Sequence, residues 1–176
     1  VVSSFVYADL DDTVAAAKAA GESMFFIIAD HIEDPHNLGA IIRSAECAGA
    51  HGVIIGKRRS ASVTAAAVKA AAGATAFMRV ARVVNIPAAL SQLKQAGVWV
   101  AGADMNGAPM AGQPLAGAIA LVVGGEGGGL SRLVRERCDM LVSIPMHGRI
   151  GSLNAGVAAA VLMFEKRRQD AAEVRA

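Results

Sequence analysis

Three short segments of the chain combine polar side chains and glycine in patterns that could hold a ligand. They are residues 30–39, the glycine-rich run 124–129 around Glu126, and residues 144–154. Each follows a short aliphatic run of the kind that forms a buried strand. Because the carboxyl ends of parallel strands meet at one edge of a sheet, the three segments are expected to form one composite site.

The glycine-rich run could approach a ligand closely, because glycine accepts positive φ and adds no side chain. A helix starting near Ser131 would offer free amide groups, and an adenosine or a phosphate would suit such a loop. The run lacks the dinucleotide fingerprint, and Gly56-Lys57 fails the phosphate-loop pattern, which argues against oxidoreductase and triphosphatase chemistry. A tight turn is the simpler alternative, but Glu126 among five glycines favours contact with a ligand or a neighbouring loop.

Other polar residues permit two interpretations from spacing alone. Arg43 lies about 240° around the predicted helix from Asn37, so a solvated surface charge is the simpler explanation. Ser152 and Asn154 could be ordinary helix caps. Ser152 lacks the nucleophile-elbow pattern, and the histidines and cysteines lack metal-ligand spacing, so neither hydrolase chemistry nor a metal is expected.

Composition predicts one folded domain. The chain has 176 residues, of which 54% are hydrophobic and 18% charged, enough to bury a core. Cys47 and Cys138 suit reduced thiols in a cytoplasmic protein, and the apolar runs are too short to span a membrane. The net charge is only +2, so a nucleic acid would have to be held by local basic clusters. Such clusters lie at 57–59, 79–82, 132–137 and 166–168.

Alternating elements predict an α/β fold with a mostly parallel sheet flanked by helices. Strands are predicted at 24–29, 52–55, 77–80, 98–101, 119–123 and 141–144. Helices are predicted from Asp34 to Gly49, 62–72, Asn85 to Gly97, 131–137 and 154–168. Residues 103–117, rich in glycine and proline, are predicted to form a mobile surface loop.

Three segments closely resemble the motifs of the SpoU-type RNA ribose methyltransferases of the SPOUT class. They run from Asp30 to Ser44, from Leu121 to Gly127 and from Ile144 to Asn154. Residues 52–73 resemble the subgroup that methylates a guanosine of large-subunit (23S) rRNA. The resemblance implies a SPOUT fold with a C-terminal deep trefoil knot, S-adenosylmethionine bound in a bent shape, and a homodimer with helix 154–168 at its interface.

The same resemblance assigns roles to individual residues. The catalytic surroundings would comprise Arg43, Asn37, Glu126, Ser152 and Asn154. The cofactor would be held at Gly124, Gly125, Ile144, Met146 and Leu153. RNA would be bound by Lys57, Arg58, Arg59 and Arg149, and no metal is implied. The family often has Ser two residues after the Asn, whereas this chain has Gly156, which puts a minor hydrogen bond in doubt.

The predicted reaction is methyl transfer from S-adenosylmethionine to a ribose 2′-hydroxyl, with rRNA as the main partner. Residues 1–22 are expected to be a linker remnant and first helix, 23–170 the methyltransferase domain, and 171–176 a tail. An RNA-binding domain is expected to precede Val1 in the whole protein. Two alternatives stay open: a non-catalytic RNA-binding or ribosome-assembly protein of the same fold, and a tRNA ribose 2′-O-methyltransferase.

Overall fold

The computed structural model describes residues 5–175. Its centre is a six-stranded sheet in the order β3-β2-β1-β5-β4-β6, and neighbouring strands pair in parallel. The strands are β1 Phe25–Asp30, β2 Gly52–Gly56, β3 Val80–Val83, β4 Trp99–Pro109, β5 Ile119–Gly124 and β6 Met140–Ser143. Residues 1–4 of the expected linker and residue 176 of the expected tail lie outside the described residues.

Helices cover both faces of the sheet. They are α1 Leu10–Ala19, α2 Pro35–Cys47, α3 Ala65–Ala71, α4 Ile86–Gln95, α5 Arg132–Arg137 and α6 Ala155–Glu173, with short 3-10 turns at Ala74–Ala76 and Met110–Gly112. Side chains of α2, α3 and α6 share one core with the sheet, and those of α1, α4 and α5 share the other. The predicted α/β class is therefore confirmed, and the strand order fits the trefoil knot that the resemblance implies. Within the described range, no helix is long and apolar enough to cross a bilayer.

The predicted starts of α2 and α4 are confirmed by their caps, whereas the helix predicted from 62 begins at Ala65, after the cap Thr64. Asp34 accepts a hydrogen bond from the His36 amide over 2.9 Å, and Asn85 accepts one from the Ala88 amide over 2.8 Å. Proline follows each cap, where its fixed φ suits a first helical turn. α6 begins as predicted but extends to Glu173 rather than ending at 168, because side-chain pairs such as Lys166–Asp170 stabilise the extra turn.

Two predicted elements differ in the structure. The strand predicted at 77–80 occupies Val80–Val83 instead, and Phe77 is 80% exposed at the exit of a 3-10 turn. The loop predicted at 103–117 is partly strand, since β4 continues to Pro109. Ala103 and Ala108 both pair with Val142, so the residues between them form a bulge in β4 where it pairs with the edge strand β6.

The C-terminal half of α6 is held to neighbouring segments by hydrogen bonds from two cations, Lys166 and Arg167. Lys166 is fully buried, and its Nζ donates to the Gly117 carbonyl over 3.0 Å and to Asp170 over 2.6 Å. Arg167 donates to the carbonyls of Ala48 and Gly49. Two cations of the 166–168 cluster therefore hold the helix to its neighbours instead of forming a free basic surface.

Candidate active site

The three polar segments meet at the carboxyl edge of the sheet. β1 ends at Asp30 and β5 ends at Gly124, and these two residues are partners in the register of the two strands. The third segment leaves β6 and leads into α6, which packs on α2. The expectation of one composite site is met by this arrangement.

Asn37, Glu126 and Asn154 form a hydrogen-bonded triangle. Asn37 Nδ2 donates to Glu126 Oε1 over 3.2 Å. Asn154 Nδ2 donates to Asn37 Oδ1 over 2.8 Å and to Glu126 Oε1 over 2.9 Å. Asn37 is buried, whereas Glu126 and Asn154 are exposed. Among residues 5–175, Glu126 Oε2 accepts no hydrogen bond, so one carboxylate oxygen is left without a partner in the triangle.

Asn154 combines the two roles that its sequence position left open. Its Oδ1 accepts hydrogen bonds from the amides of Gly156 over 2.9 Å and Val157 over 3.2 Å, which caps α6. Its Nδ2 donates to the other two members of the triangle, Asn37 and Glu126. The start of the last helix and the centre of the site therefore depend on one amide.

The glycine-rich loop folds back on itself beneath the site. The Gly129 amide donates to the Gly125 carbonyl over 3.0 Å. A Cβ on Gly124 would lie 2.2 Å from the Gly129 carbonyl carbon, and one on Gly125 would lie 2.3 Å from the His31 carbonyl oxygen. These glycines are needed for close approach of backbone to backbone, which makes the loop more than an ordinary turn.

Asp30 joins this loop to the first segment. Its carbonyl accepts from the Gly125 amide over 3.0 Å, and its Oδ2 accepts from the Ser131 amide over 2.7 Å. The sequence interpretation gave Asp30 no role of its own. The available signal was a carboxyl group that directly ends a fully apolar strand.

Arg43 and Ser152 are not joined to the triangle. Both are exposed, Arg43 on the outer side of α2 and Ser152 in the loop before α6. In the part of the chain that the structure describes, neither side chain forms a hydrogen bond or an ion pair. Gly156 faces α2, where a Cβ would lie 3.1 Å from the Ala40 Cβ, so its small size lets the two helices approach. The catalytic roles of Arg43 and Ser152 stay predictions.

The predicted cofactor residues supply two kinds of surface. Ile144, Met146 and Leu153 present partly exposed apolar side chains on the loop from β6 to α6. Gly124 and Gly125 present backbone groups without side chains. This combination fits S-adenosylmethionine, because an adenine needs apolar faces and its polar edges need backbone donors and acceptors. Between residues 5 and 175, no cluster of three or more histidine, cysteine or acidic side chains could bind a metal.

Four predicted RNA-binding cations lie on loops that leave the same edge. Lys57, Arg58 and Arg59 follow β2, and Arg149 lies between β6 and α6. All four are exposed, and none has an ion-pair partner within the described residues. Arg59 has a φ of 51° and so lies in the left-handed region of backbone conformation.

Similarity to known proteins agrees with this geometry. The model of the SpoU rRNA Methylase family matches residues 24–164. A putative TrmH family tRNA/rRNA methyltransferase, YacO of Bacillus subtilis, is 45% identical over 96% of this chain and 68% of its own length. An uncharacterized tRNA/rRNA methyltransferase of Mycolicibacterium vanbaalenii is 51% identical over 96% of this chain, which spans only 54% of that relative.

Solved structures show the same fold. The SpoU methyltransferase AviRb from Streptomyces viridochromogenes, in complex with AdoMet, has a TM-score of 0.80 and 30% identity over 86% of this chain and 62% of its own. An AdoMet-bound rRNA methyltransferase from Sinorhizobium meliloti has a TM-score of 0.81 and 28% identity over 93% of this chain and 61% of its own. The chain therefore belongs to the SpoU rRNA methylase family, and the predicted S-adenosylmethionine-dependent methyltransferase is confirmed at the level of that family.

Proposed function

We propose that this chain is the catalytic domain of an enzyme that transfers a methyl group from S-adenosylmethionine to a ribose 2′-hydroxyl of RNA, with a guanosine of large-subunit (23S) rRNA as the target. The observation that carries the proposal is the triangle of Asn37, Glu126 and Asn154, which joins all three motif segments in one site. The relatives' names include both tRNA and rRNA, so a tRNA ribose is the second candidate target.

The main contribution of the protein to methyl transfer is to position the cofactor and the ribose hydroxyl relative to each other. S-adenosylmethionine supplies an electrophilic methyl group when bound, and a ribose hydroxyl must be held in line with it. The hydroxyl is a weak nucleophile until its proton leaves, so the site must stabilise the negative charge that develops on the oxygen. Arg43 is exposed and unpaired within the described residues, so its guanidinium is free to supply that charge.

Arg43 orients the ribose rather than removing its proton, because a guanidinium is a poor proton acceptor. The proton passes to water or to a phosphate of the substrate. Glu126 uses one carboxylate oxygen to hold the triangle and leaves the other free for a ligand hydroxyl or a loop amide. Asn37, Ser152 and Asn154 supply neutral hydrogen bonds around the reacting groups.

RNA binds across the carboxyl edge through Lys57, Arg58, Arg59 and Arg149. Contacts from lysine and arginine to phosphates release counterions, so affinity falls as salt rises. An upstream RNA-binding domain contributes to substrate selection in the whole protein.

The enzyme works in the cytoplasm, where the transcripts of the proposed target class are processed.

The enzyme forms a homodimer through α6. Val157 and Phe164 are 49% and 51% exposed, and their spacing places them on one side of the helix. Two exposed apolar side chains on one helix face are typical of a surface that packs against a partner.

Residues 23–170 carry the methyltransferase domain in this proposal.

Two measurements test the function. Titration calorimetry with S-adenosylmethionine should show binding by the isolated chain. Mapping of ribose methylation in RNA from cells that lack the whole protein should show the loss of one mark in large-subunit rRNA. Loss of a tRNA mark would support the second target. An unchanged methylation map, with the cofactor still bound by the chain, would support the non-catalytic assembly protein.

A further inference from the structure

We propose that Asp30 is a positioning residue, which holds the glycine-rich loop 125–131 at both ends so that Glu126 and the cofactor-binding glycines keep their places. The proposal rests on the assignment of this loop to the cofactor site. It gives a function to a buried carboxyl group that lies at the start of the first motif segment but has no role among the assigned site residues or in the proposed chemistry.

The two anchors lie on one residue. The Asp30 carbonyl holds the Gly125 amide at the beginning of the loop, and the Asp30 Oδ2 holds the Ser131 amide at its end. Ser131 is the N-cap of α5 but makes no side-chain capping bond. Asp30 therefore supplies from β1 the acceptor that the helix start lacks.

Burial shows that this carboxyl group is committed to the loop. Asp30 is 1% exposed and is one of four buried polar or charged residues in the described range. A buried carboxylate is costly unless hydrogen bonds compensate it, and bonds to ionised acceptors are stronger than neutral ones. The Ser131 amide donates to Oδ2 over 2.7 Å, whereas the His31 Nδ1 lies 3.9 Å from Oδ1, so the hydrogen bond that compensates the carboxyl group comes from the loop end.

Between the two anchors, the loop is supported by the hydrogen bond from the Gly129 amide to the Gly125 carbonyl and by the two bonds that Glu126 accepts from Asn37 and Asn154. Residues 126–129 are exposed, and Gly127, Gly128 and Gly129 have no atom near the position of an added Cβ. Gly127 and Gly129 also have positive φ, at 83° and 61°. A chain of this kind is flexible unless its ends are fixed. Loss of the hydrogen bond between the Ser131 amide and Asp30 would therefore let Glu126 occupy a wider range of positions relative to Asn37 and Asn154.

The test compares Asp30→Ala with Asp30→Asn by calorimetric titration of the isolated chain with S-adenosylmethionine. Alanine removes the acceptor for Ser131, and affinity should fall about ten-fold or more. Asparagine keeps an acceptor oxygen, and affinity should stay within about three-fold of the wild type. Because asparagine has nearly the volume of aspartate, its rescue would show that the acceptor oxygen, rather than the negative charge, positions the loop.

Asp139→Ala is the matched control. Asp139 also accepts a hydrogen bond from a backbone amide, that of Val100 over 2.9 Å, but at the opposite edge of the sheet. Both Asp139→Ala and Asp30→Ala are expected to unfold at lower urea concentration than the wild type, but the cofactor affinity of Asp139→Ala should stay within about two-fold of the wild type. A general effect of lost stability would weaken binding in both variants.

A double-mutant cycle of Asp30→Ala and Glu126→Ala tests whether Asp30 affects cofactor binding through the loop that carries Glu126. If Asp30 acts by placing the loop, the effects of the two substitutions on cofactor affinity should be less than additive. Equal binding by Asp30→Ala and the wild type would overturn the positioning role while leaving the proposed function intact. No binding by the wild type would overturn the cofactor site and the positioning role together.

Discussion

Asn154 donates a hydrogen bond of 2.8 Å to Asn37, although the two residues are 117 positions apart in the chain. Both also donate to the same oxygen of Glu126, so the beginnings of α2 and α6 share one acceptor on the loop after β5. A contact between such distant segments forms only when the sheet has brought them together. The site is therefore complete only in the folded domain.

Asn154→Ala and Asn154→Asp should separate the two roles of this residue. Alanine removes both the cap of α6 and the donor to the triangle, so the free energy of unfolding should fall by about 1 kcal/mol and methyl transfer by about ten-fold or more. Aspartate keeps a cap acceptor but has no donor for Glu126. It should lose methyl transfer with a smaller loss of stability. Urea unfolding and single-turnover methylation measure the two effects, and full activity of the aspartate variant would remove the triangle from the mechanism.

Gly125→Ala should weaken cofactor binding by about ten-fold or more, because its Cβ would meet a backbone oxygen and displace the hydrogen-bonded loop. That oxygen belongs to His31 and lies 2.3 Å from the Cβ position. Gly128→Ala is the control, since no atom lies within 4 Å of its Cβ and its φ is not positive. Calorimetry with S-adenosylmethionine distinguishes the two variants. Equal affinities would show that close approach at Gly125 is not needed.

The ends of β1, β2, β5 and β6 were predictable to within one residue, because buried aliphatic runs have a clear pattern and polar residues or glycine follow them. The caps Asp34, Asn85 and Asn154 were predictable because each is an Asp or Asn that directly precedes a helical pattern of apolar residues. The hydrogen bonds from Asn154 to Asn37 and Glu126 were not, because sequence spacing gives no distance between loops on different strands. Their convergence was expected only at the level of the sheet edge.

Two other features depended on tertiary context. β4 continues through residues with turn-forming types because pairing with β6 outweighs their local preference. Lys166 lies in a basic run typical of a solvated surface, yet it is fully buried against Asp170 and the ring of Phe25. Burial of a cation depends on partners that other segments supply, here the Gly117 carbonyl and the Phe25 ring.

Arg43→Ala should retain cofactor binding and lose methyl transfer. The side chain is exposed and contributes no hydrogen bond to the described fold, so the free energy of unfolding should hardly change. Lys69→Ala, which removes an exposed cation from α3, is the control and should keep full turnover. Calorimetry and RNA methylation are measured on the same preparations. Turnover of Arg43→Ala equal to that of the wild type would exclude Arg43 from the reaction.

Lys166→Ala should lower the free energy of unfolding by about 2 kcal/mol, since it removes a fully buried cation from Asp170 and leaves Arg167, at 3.0 Å, as the remaining ion-pair partner of that carboxylate. The substitution also removes the link between α6 and the Gly117 carbonyl. Arg132→Ala is the control, because Arg132 pairs with Glu136 at the exposed surface and such pairs contribute little. Urea unfolding measures both. A small effect of Lys166→Ala would show that packing alone holds the far end of α6.

Stability should decrease as the pH falls below about 6.5, in part because of His51. Its Nδ1 accepts a hydrogen bond from the Phe25 amide over 3.0 Å, and burial is the main cause that lowers the pKa of the imidazole. The charge of Glu22 opposes this shift and that of Arg167 adds to it. Since the folded pKa lies below the unfolded one, the unfolded chain takes up the proton first as the pH falls. The contribution of His51 is therefore complete above the unfolded pKa and is lost as the pH falls toward the folded pKa.

His51→Asn keeps an acceptor oxygen near the Phe25 amide but removes the titrating group. The variant should lose less free energy of unfolding between about pH 7.5 and pH 5.5 than the wild type does. His147→Asn, at an exposed position after β6, is the control and should keep the wild-type dependence. Urea unfolding at the two pH values measures the difference. Parallel losses in the wild type and His51→Asn would assign the acid sensitivity to other groups.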